Sequence, residues 1–150
     1  MNWIIKAFNE LEVEELYDII TQRNDVFIME QNCIYQDCDG KDKKSYHLYL
    51  EHAGEIIAYI RIVNKGVSYE EVSLGRVLVN RKHRGQEYGK DLMTKAIEFV
   101  EQTMGECAIR ISAQSYLIRF YESFGFKVVS DEYMEDGIPH TEMLYLREDA

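Results

Sequence analysis

The residues with the most chemistry to offer lie between Gly75 and Lys90. Arg76, Arg81, Lys82 and Arg84 fall in a stretch with no acidic residue between Glu71 and Glu87, and Lys90 follows just beyond it. Val72 to Val79, rich in β-branched residues, reads as a strand. Gly89 to Thr103 carries Leu92, Met93, Ala96, Ile97 and Val100 at helical spacing. A helix that opens after a glycine-containing loop presents free N–H groups and the positive end of its dipole, which suits an anion such as a pyrophosphate. Gly85 and Gly89 let the backbone come close to such a group. A solvated basic loop accounts for the same charges, and a plain glycine turn accounts for R-G-x-x-x-G. Two nucleotide patterns are missing: there is no G-x-x-x-x-G-K-[ST], and no G-x-G-x-x-G after the first strand.

Other reactive side chains are scattered. Glu30, His47, Glu135, Asp136 and His140 are candidates to hold an amine or take its proton, directly or through a water, because Val72 to Val79 contains no acid. Each also has a structural account: His140 after Pro139 could fix a turn, and Glu30 could be an ion-pair partner at a helix end. Cys33, Cys38 and Cys107 cannot all pair within one chain. The C-x4-C spacing lacks a second pair and Gly40 falls wrongly for an EF-hand loop, so no metal site is expected.

The elements that must position these groups fit one domain over residues 1–150, of 17.7 kDa, with 46% hydrophobic and 29% charged residues. The net charge of −10 argues against a general nucleic-acid binder. No apolar run approaches the ~20 residues of a membrane helix, and Met1 to Lys6 does not read as a signal peptide. The expected compartment is reducing, most simply the cytoplasm. Trp3 to Phe8 reads as a strand. Asn9 reads as a helix cap, with Glu12 in the capping box and a Phe8–Val13 staple. A second helical stretch is expected around Arg23 to Glu30, then loop from Ile34 to Lys44. Tyr46–Glu51 and Glu55–Val63 read as a hairpin, Cys107–Ala113 as a strand, Ser115–Phe124 as a short helix stopped at Gly125, and Phe126–Asp131 and Thr141–Arg147 as the last strands. The class is mixed α/β, antiparallel early and strand–helix–strand later.

Arg84-Gly85-Gln86-Glu87-Tyr88-Gly89 resembles the acyl-CoA loop Q/R-x-x-G-x-G/A of the GNAT N-acetyltransferase superfamily, with Glu87 in place of the middle glycine. Gln114 to Phe126 resembles the signature N-x-x-A-x-x-F-Y-x-x-x-G-F of the same superfamily, with Gln114 at the Asn position, Leu117 at the Ala position and Phe120-Tyr121-x-x-x-Gly125-Phe126 matched in full. Val26-Phe27-Ile28-Met29-Glu30-Gln31-Asn32-Cys33, Tyr35-Gln36-Asp37-Cys38-Asp39-Gly40 and Glu135-Asp136-Gly137-Ile138-Pro139-His140 are similar to segments of its ElaA-like branch.

The resemblance implies the acyl-CoA N-acyltransferase fold, a central mixed but mostly antiparallel sheet flanked by helices. It implies that Arg76–Val79 splays from a parallel neighbour at Ile111–Ala113 and that acyl-CoA enters between them. Backbone groups of Leu78 and Val79 would hold the pantetheine; Arg84, Gly85, Gln86, Tyr88, Gly89, Lys90 and Gln114 complete the cofactor site; and Tyr121 would protonate the leaving sulfur. Tyr121 one helical turn after Leu117 is also an ordinary packed aromatic. The reaction expected is direct transfer from acetyl-CoA to a primary amine of a small molecule or peptide in a ternary complex. Glu30, His47, Glu135 and His140 are candidates on the amine side. No nucleic acid, membrane or metal partner is expected, and the chain would act as a monomer or homodimer. The alternatives are a catalytically inactive acyl-CoA-binding regulatory module, which the Glu87 departure favours, and a nucleotide-binding protein that uses the same loop for other phosphates.

Overall fold

The computed structural model describes residues 1–148. Four strands, β1 (Asn2–Ala7), β2 (Ser45–His52), β3 (Glu55–Val63) and β4 (Ser73–Val79), pair antiparallel in chain order. A second antiparallel sheet has β5 (Ala108–Gln114) and β6 (Lys127–Val128) on either side of β8 (Ile138–Leu146), with β7 (Tyr133–Glu135) also pairing β8. Among the described residues the two sheets are joined by one parallel bridge, Val72 to Ile109, where the Arg110 N–H donates to the Val72 carbonyl at 2.9 Å. Beyond that bridge β4 and β5 are not paired with each other among the described residues.

Three helices connect these strands. α1 (Val13–Arg23) runs on into a π-helical stretch, Asn24–Glu30; α2 (Tyr88–Glu98) does the same through Phe99–Thr103; and α3 (Ile118–Glu122) follows β5. The apolar stripe of α2 and its π-helical continuation, Leu92, Met93, Ala96 and Val100, is fully buried with Leu48, Ile60, Ile62, Ile109, Ile111 and Phe126, so α2 covers the joint between the sheets. On the opposite face, Ile19 and Val26 pack on Tyr49, Tyr59 and Leu78, all from the first sheet. Along β5 the buried residues Ile109, Ile111 and Ala113 alternate with half-buried Arg110, Ser112 and Gln114. The α1 side of the second sheet therefore carries polar groups.

The mixed, mostly antiparallel class and the strand order agree with the sequence reading, with three local corrections. The first helix starts at Val13 rather than after Asn9. Glu15 receives the Glu12 N–H at 2.8 Å while also held by Lys6 at 2.9 Å and by the Tyr49 hydroxyl, so β1 and β2 fix the cap, and Val13 is exposed rather than a staple. Phe8–Glu10 forms a 3-10 turn instead. The strand expected over Phe126–Asp131 is only two residues long, and a hairpin the sequence reading missed, β7 to β8, turns at Asp136 (φ 51°) and Gly137 (φ 75°). Positive φ at both central residues is the type I′ arrangement that an Asp-Gly pair favours.

Candidate functional site

β4 is bent at its centre. Its register against β3 shifts between Tyr59 and Arg61, and Arg76 sits at φ 53°, a left-handed conformation unusual for a residue with a side chain. The loop from Tyr35 to Asp42 holds it there. The Arg76 guanidinium reaches Asp37 at 3.0 Å and Asp39 at 3.5 Å and lies over the Tyr35 ring. The same aspartates and Asp42 also bind Arg61 from β3 and Arg23 from α1: Arg61 pairs with Asp39 at 2.8 and 2.9 Å, and Arg23 with Asp42 at 2.7 Å and Asp37 at 2.9 Å. Three arginines thus face three aspartates, with Arg23, Arg61, Asp37 and Asp42 buried. Burial works to raise Asp39, but Arg61, the Lys41 N–H and Arg76 together outweigh it and bring this carboxyl down to about 2.

Past the bend, Asn80 N–H donates to Ile57 carbonyl at 2.7 Å. By antiparallel alternation the main-chain groups of Leu78 turn to β3 and those of Val79 to the open edge. There the Val79 carbonyl accepts from Arg84 Nε at 3.0 Å. Arg84 is also gripped by Glu30, through two bonds of 2.6 and 2.8 Å, and the Arg84 hydrogen bond holds the Glu30 carboxyl below its ordinary value. Gly85 takes φ 84°. Glu87, at the middle-glycine position, also adopts the left-handed conformation (φ 63°) as the residue before α2, so the loop keeps its turn without a glycine there. Lys90 and Glu87 pair at 3.1 Å, and the exposed Gln86 accepts from the Tyr88 hydroxyl at 3.4 Å. The N–H groups of Tyr88 and Gly89 at the start of α2 have no acceptor inside the helix, while that of Lys90 donates to the Glu87 carbonyl at 3.1 Å.

The two expected motifs meet here. A Cβ at Gly89 would lie 3.7 Å from Phe120 Cζ, which places the start of α2 against α3. Gln114 ends β5 just before the 3-10 turn that leads into α3. Tyr121 packs edge-on against Phe120 and Phe126 in the core. Among the described residues its hydroxyl has no hydrogen-bond partner, and burial pushes it up to about 12.

The four amine-side candidates do not form one group. Glu30 belongs to the basic loop. His47 is fully buried: Nε2 donates to the Asp42 carbonyl at 3.0 Å, Nδ1 accepts from Tyr59 at 2.7 Å, and burial lowers its basicity, so it is a neutral core residue with no face open to a ligand. Glu135 and His140 do come together, at 3.4 Å across the β7–β8 hairpin. Ser112 joins them, 3.2 Å from Glu135 and 2.5 Å from the Tyr133 hydroxyl, and Tyr133 stacks on the His140 ring. Cys33 donates to the Asp136 carbonyl at 3.4 Å, tying the segment after α1 to this hairpin, while Cys38 is exposed. The sequence reading missed Ser112, Tyr133 and the role of Arg76; the Asp136-Gly137 turn signal would have placed Tyr133 beside His140.

The Acetyltransferase (GNAT) domain family matches residues 8–146. A UPF0039 protein of Schizosaccharomyces pombe is 41% identical over 145 residues, 95% of each chain. Protein ElaA of Escherichia coli is 39% identical over 145 residues, again 95% of each, and its crystal structure superposes with a TM-score of 0.90 over 97% of this chain and 99% of that one. An acyl-CoA N-acyltransferase from Pseudomonas aeruginosa, 33% identical, superposes with a TM-score of 0.91 over the same shares. The parallel bridge between otherwise unpaired β4 and β5, the basic loop at the start of α2 and these likenesses agree: the chain belongs to the GNAT acetyltransferase superfamily, in its ElaA-like branch.

Proposed function

We propose that this protein transfers the acetyl group of acetyl-CoA to a primary amine by direct attack in a ternary complex. The observation that carries the reading is the open edge of β4, which starts at the Val72–Ile109 bridge and ends at Val79 beside the N-terminus of α2. A pantetheine arm laid along that edge would meet the main chain of Val79. Its pyrophosphate would meet the N–H groups of Tyr88 and Gly89 and the charges of Arg84 and Lys90, Gly85 leaving the backbone bare. The phosphates would compete with Glu30 for Arg84. Tyr121 keeps its proton at neutral pH and has a free hydroxyl to donate to the sulfur as the C–S bond breaks. Among the described residues no helix is long and apolar enough to cross a membrane, and the cytoplasm is the compartment that fits three free cysteines.

The test is thiol release from acetyl-CoA with a panel of amines, alongside thermal shift with acetyl-CoA and ATP. Stabilisation by acetyl-CoA and not by ATP, with amine-dependent thiol release, is expected. Tyr121→Phe should lower kcat by ~10²–10⁴-fold with the acetyl-CoA Kd and Tm unchanged. Binding without turnover on any amine would leave an acyl-CoA-binding regulatory module, and stabilisation by ATP would overturn both.

A further inference from the structure

We infer that Glu135, set in place by Ser112 and His140, is the group that receives the cationic acceptor amine and takes its proton. This rests on the acetyl-transfer reading above and names the amine side of the same cleft. Ser112 lies two residues past Arg110, beyond the bridge to Val72, on the half-buried face of β5 opposite Ile109, Ile111 and Ala113. The charged neighbours are accounted for. Arg110 is held by Glu71 at 3.2 Å and by Glu142 at 3.1 Å, so it does not neutralise Glu135. Tyr133 and Tyr69 face the cluster as neutral phenols raised by burial, and Asp136 at the turn adds negative charge. Arg76, across the cleft, is already matched by Asp37 and Asp39. The cluster is thus a net anionic place, with the Glu135 side chain 49% exposed above a buried histidine.

The histidine geometry makes this a proton acceptor and not only a charge. His140 Nδ1 lies 2.7 Å from the Ile138 carbonyl, which can only accept, so Nδ1 carries a hydrogen. In the neutral ring Nε2 is then a lone pair facing a Glu135 oxygen at 3.4 Å. Two acceptors face each other and call for one hydrogen between them, which an ammonium N–H can supply. In the step, an N–H bond of the ammonium breaks and its proton passes to Glu135 and is shared with Nε2. The freed lone pair forms the C–N bond to the thioester carbonyl carbon, and the C–S bond breaks. The sulfur takes the Tyr121 proton, and the second nitrogen proton, lost as the tetrahedral adduct collapses, restores Tyr121. One proton is released to solvent from the Glu135–His140 pair, leaving an amide and free CoA thiol. Glu135 touches the amine; His140 is a positioning residue that shares the proton.

The experiment follows the His140 ring by NMR in the full chain as n-butylamine, a cation at neutral pH, is added with and without acetyl-CoA. The His140 Nε2 signal should move in the wild type and stay in Glu135→Gln, which keeps the bond to Ser112. Where amines turn over, Glu135→Gln should lower kcat by ~10²-fold at pH 7, with log kcat rising about one unit per pH unit as free amine replaces the lost base, and with the acetyl-CoA Kd unchanged. His140→Asn should lower kcat less and flatten under the same pH rise. A His140 signal indifferent to the amine, or Glu135→Gln turnover within two-fold of wild type with the same pH slope, overturns the inference. Failure of the wild type to bind acetyl-CoA instead overturns the acetyl-transfer reading, while an amine-dependent His140 shift would still support the amine site. Should Glu135→Gln not fold, the wild-type titration alone decides.

Discussion

Two parts of this molecule pair arginines with carboxylates, and they do so under opposite conditions. The knot of Arg23, Arg61 and Arg76 with Asp37, Asp39 and Asp42 is largely out of water, and each side chain answers to at least two others. The loop set of Arg81, Arg84 and Lys90 with Glu30 and Glu87 stands at the surface, and its pairs are nearly one to one. In the interior an unpaired charge is costly, so the knot keeps its partners and serves as a rigid brace for the bend in β4. At the surface a pair contributes little and exchanges readily, which suits residues that would trade a carboxylate for a phosphate. The same chemistry builds a brace in one place and a replaceable contact in the other.

The largest effect expected from breaking this contrast is in the knot. Arg23→Ala removes a fully buried cation and leaves buried Asp37 with Arg76 alone and buried Asp42 with Arg61 alone, so urea unfolding should show a loss of about 3–5 kcal/mol. A loss under about 1 kcal/mol would mean that the knot does not brace the fold.

Acid is the next test. Asp39 is depressed from 3.8 to about 2 in the folded chain, so its contribution is present above pH ~4 and is lost as the pH falls through 2. The shift corresponds to at most about 2 kcal/mol. The wild type should therefore lose more stability between pH 4 and pH 2 than Asp39→Asn does, and equal acid limbs would remove Asp39 from the account. Glu30 is depressed too, but being at the surface it should leave a far smaller acid signature.

Smaller changes are expected in the loop. Glu30→Gln should alter stability by less than about 1 kcal/mol, yet raise acetyl-CoA affinity several-fold in calorimetry because Arg84 no longer has a rival anion. A fall in affinity would make Glu30 a support for Arg84 rather than a competitor. The smallest effect is assigned to Glu87→Gly. It removes a side chain from a left-handed conformation and a negative charge from the phosphate site, at the entropic cost of glycine, so Tm should hold within a few degrees and affinity should be kept or improved. Weaker binding at unchanged stability would give Glu87 a role of its own.

What could be read from sequence divides along the same line between local and distant causes. The α2 stripe was legible because Leu92, Met93, Ala96 and Val100 repeat at the helical period and all bury on one face. The basic loop was legible because its charges are neighbours in the chain. The bend at Arg76 was not, since nothing near it in sequence demands a left-handed residue; the demand comes from Asp37 and Asp39, almost forty residues earlier. The grip of Glu30 on Arg84 spans 54 residues and was equally hidden. His47 looked reactive by type, but its chemistry is spent on Asp42 and Tyr59. Glu135 and His140 were nameable one by one, whereas their pairing needed the turn at Asp136-Gly137 to fold β7 back on β8.

The single bridge between Val72 and Ile109 has a consequence for what can enter the molecule. An exposed strand edge ordinarily invites pairing with any passing chain, and proteins blunt such edges. Here, among the described residues, the edge of β4 is joined to β5 at the Val72–Ile109 bridge alone, and past it Val79 turns its main chain to an edge with no strand partner. A slender chain carrying amide groups, laid along that edge, would pair with it as a missing strand does, without a second folded strand being present.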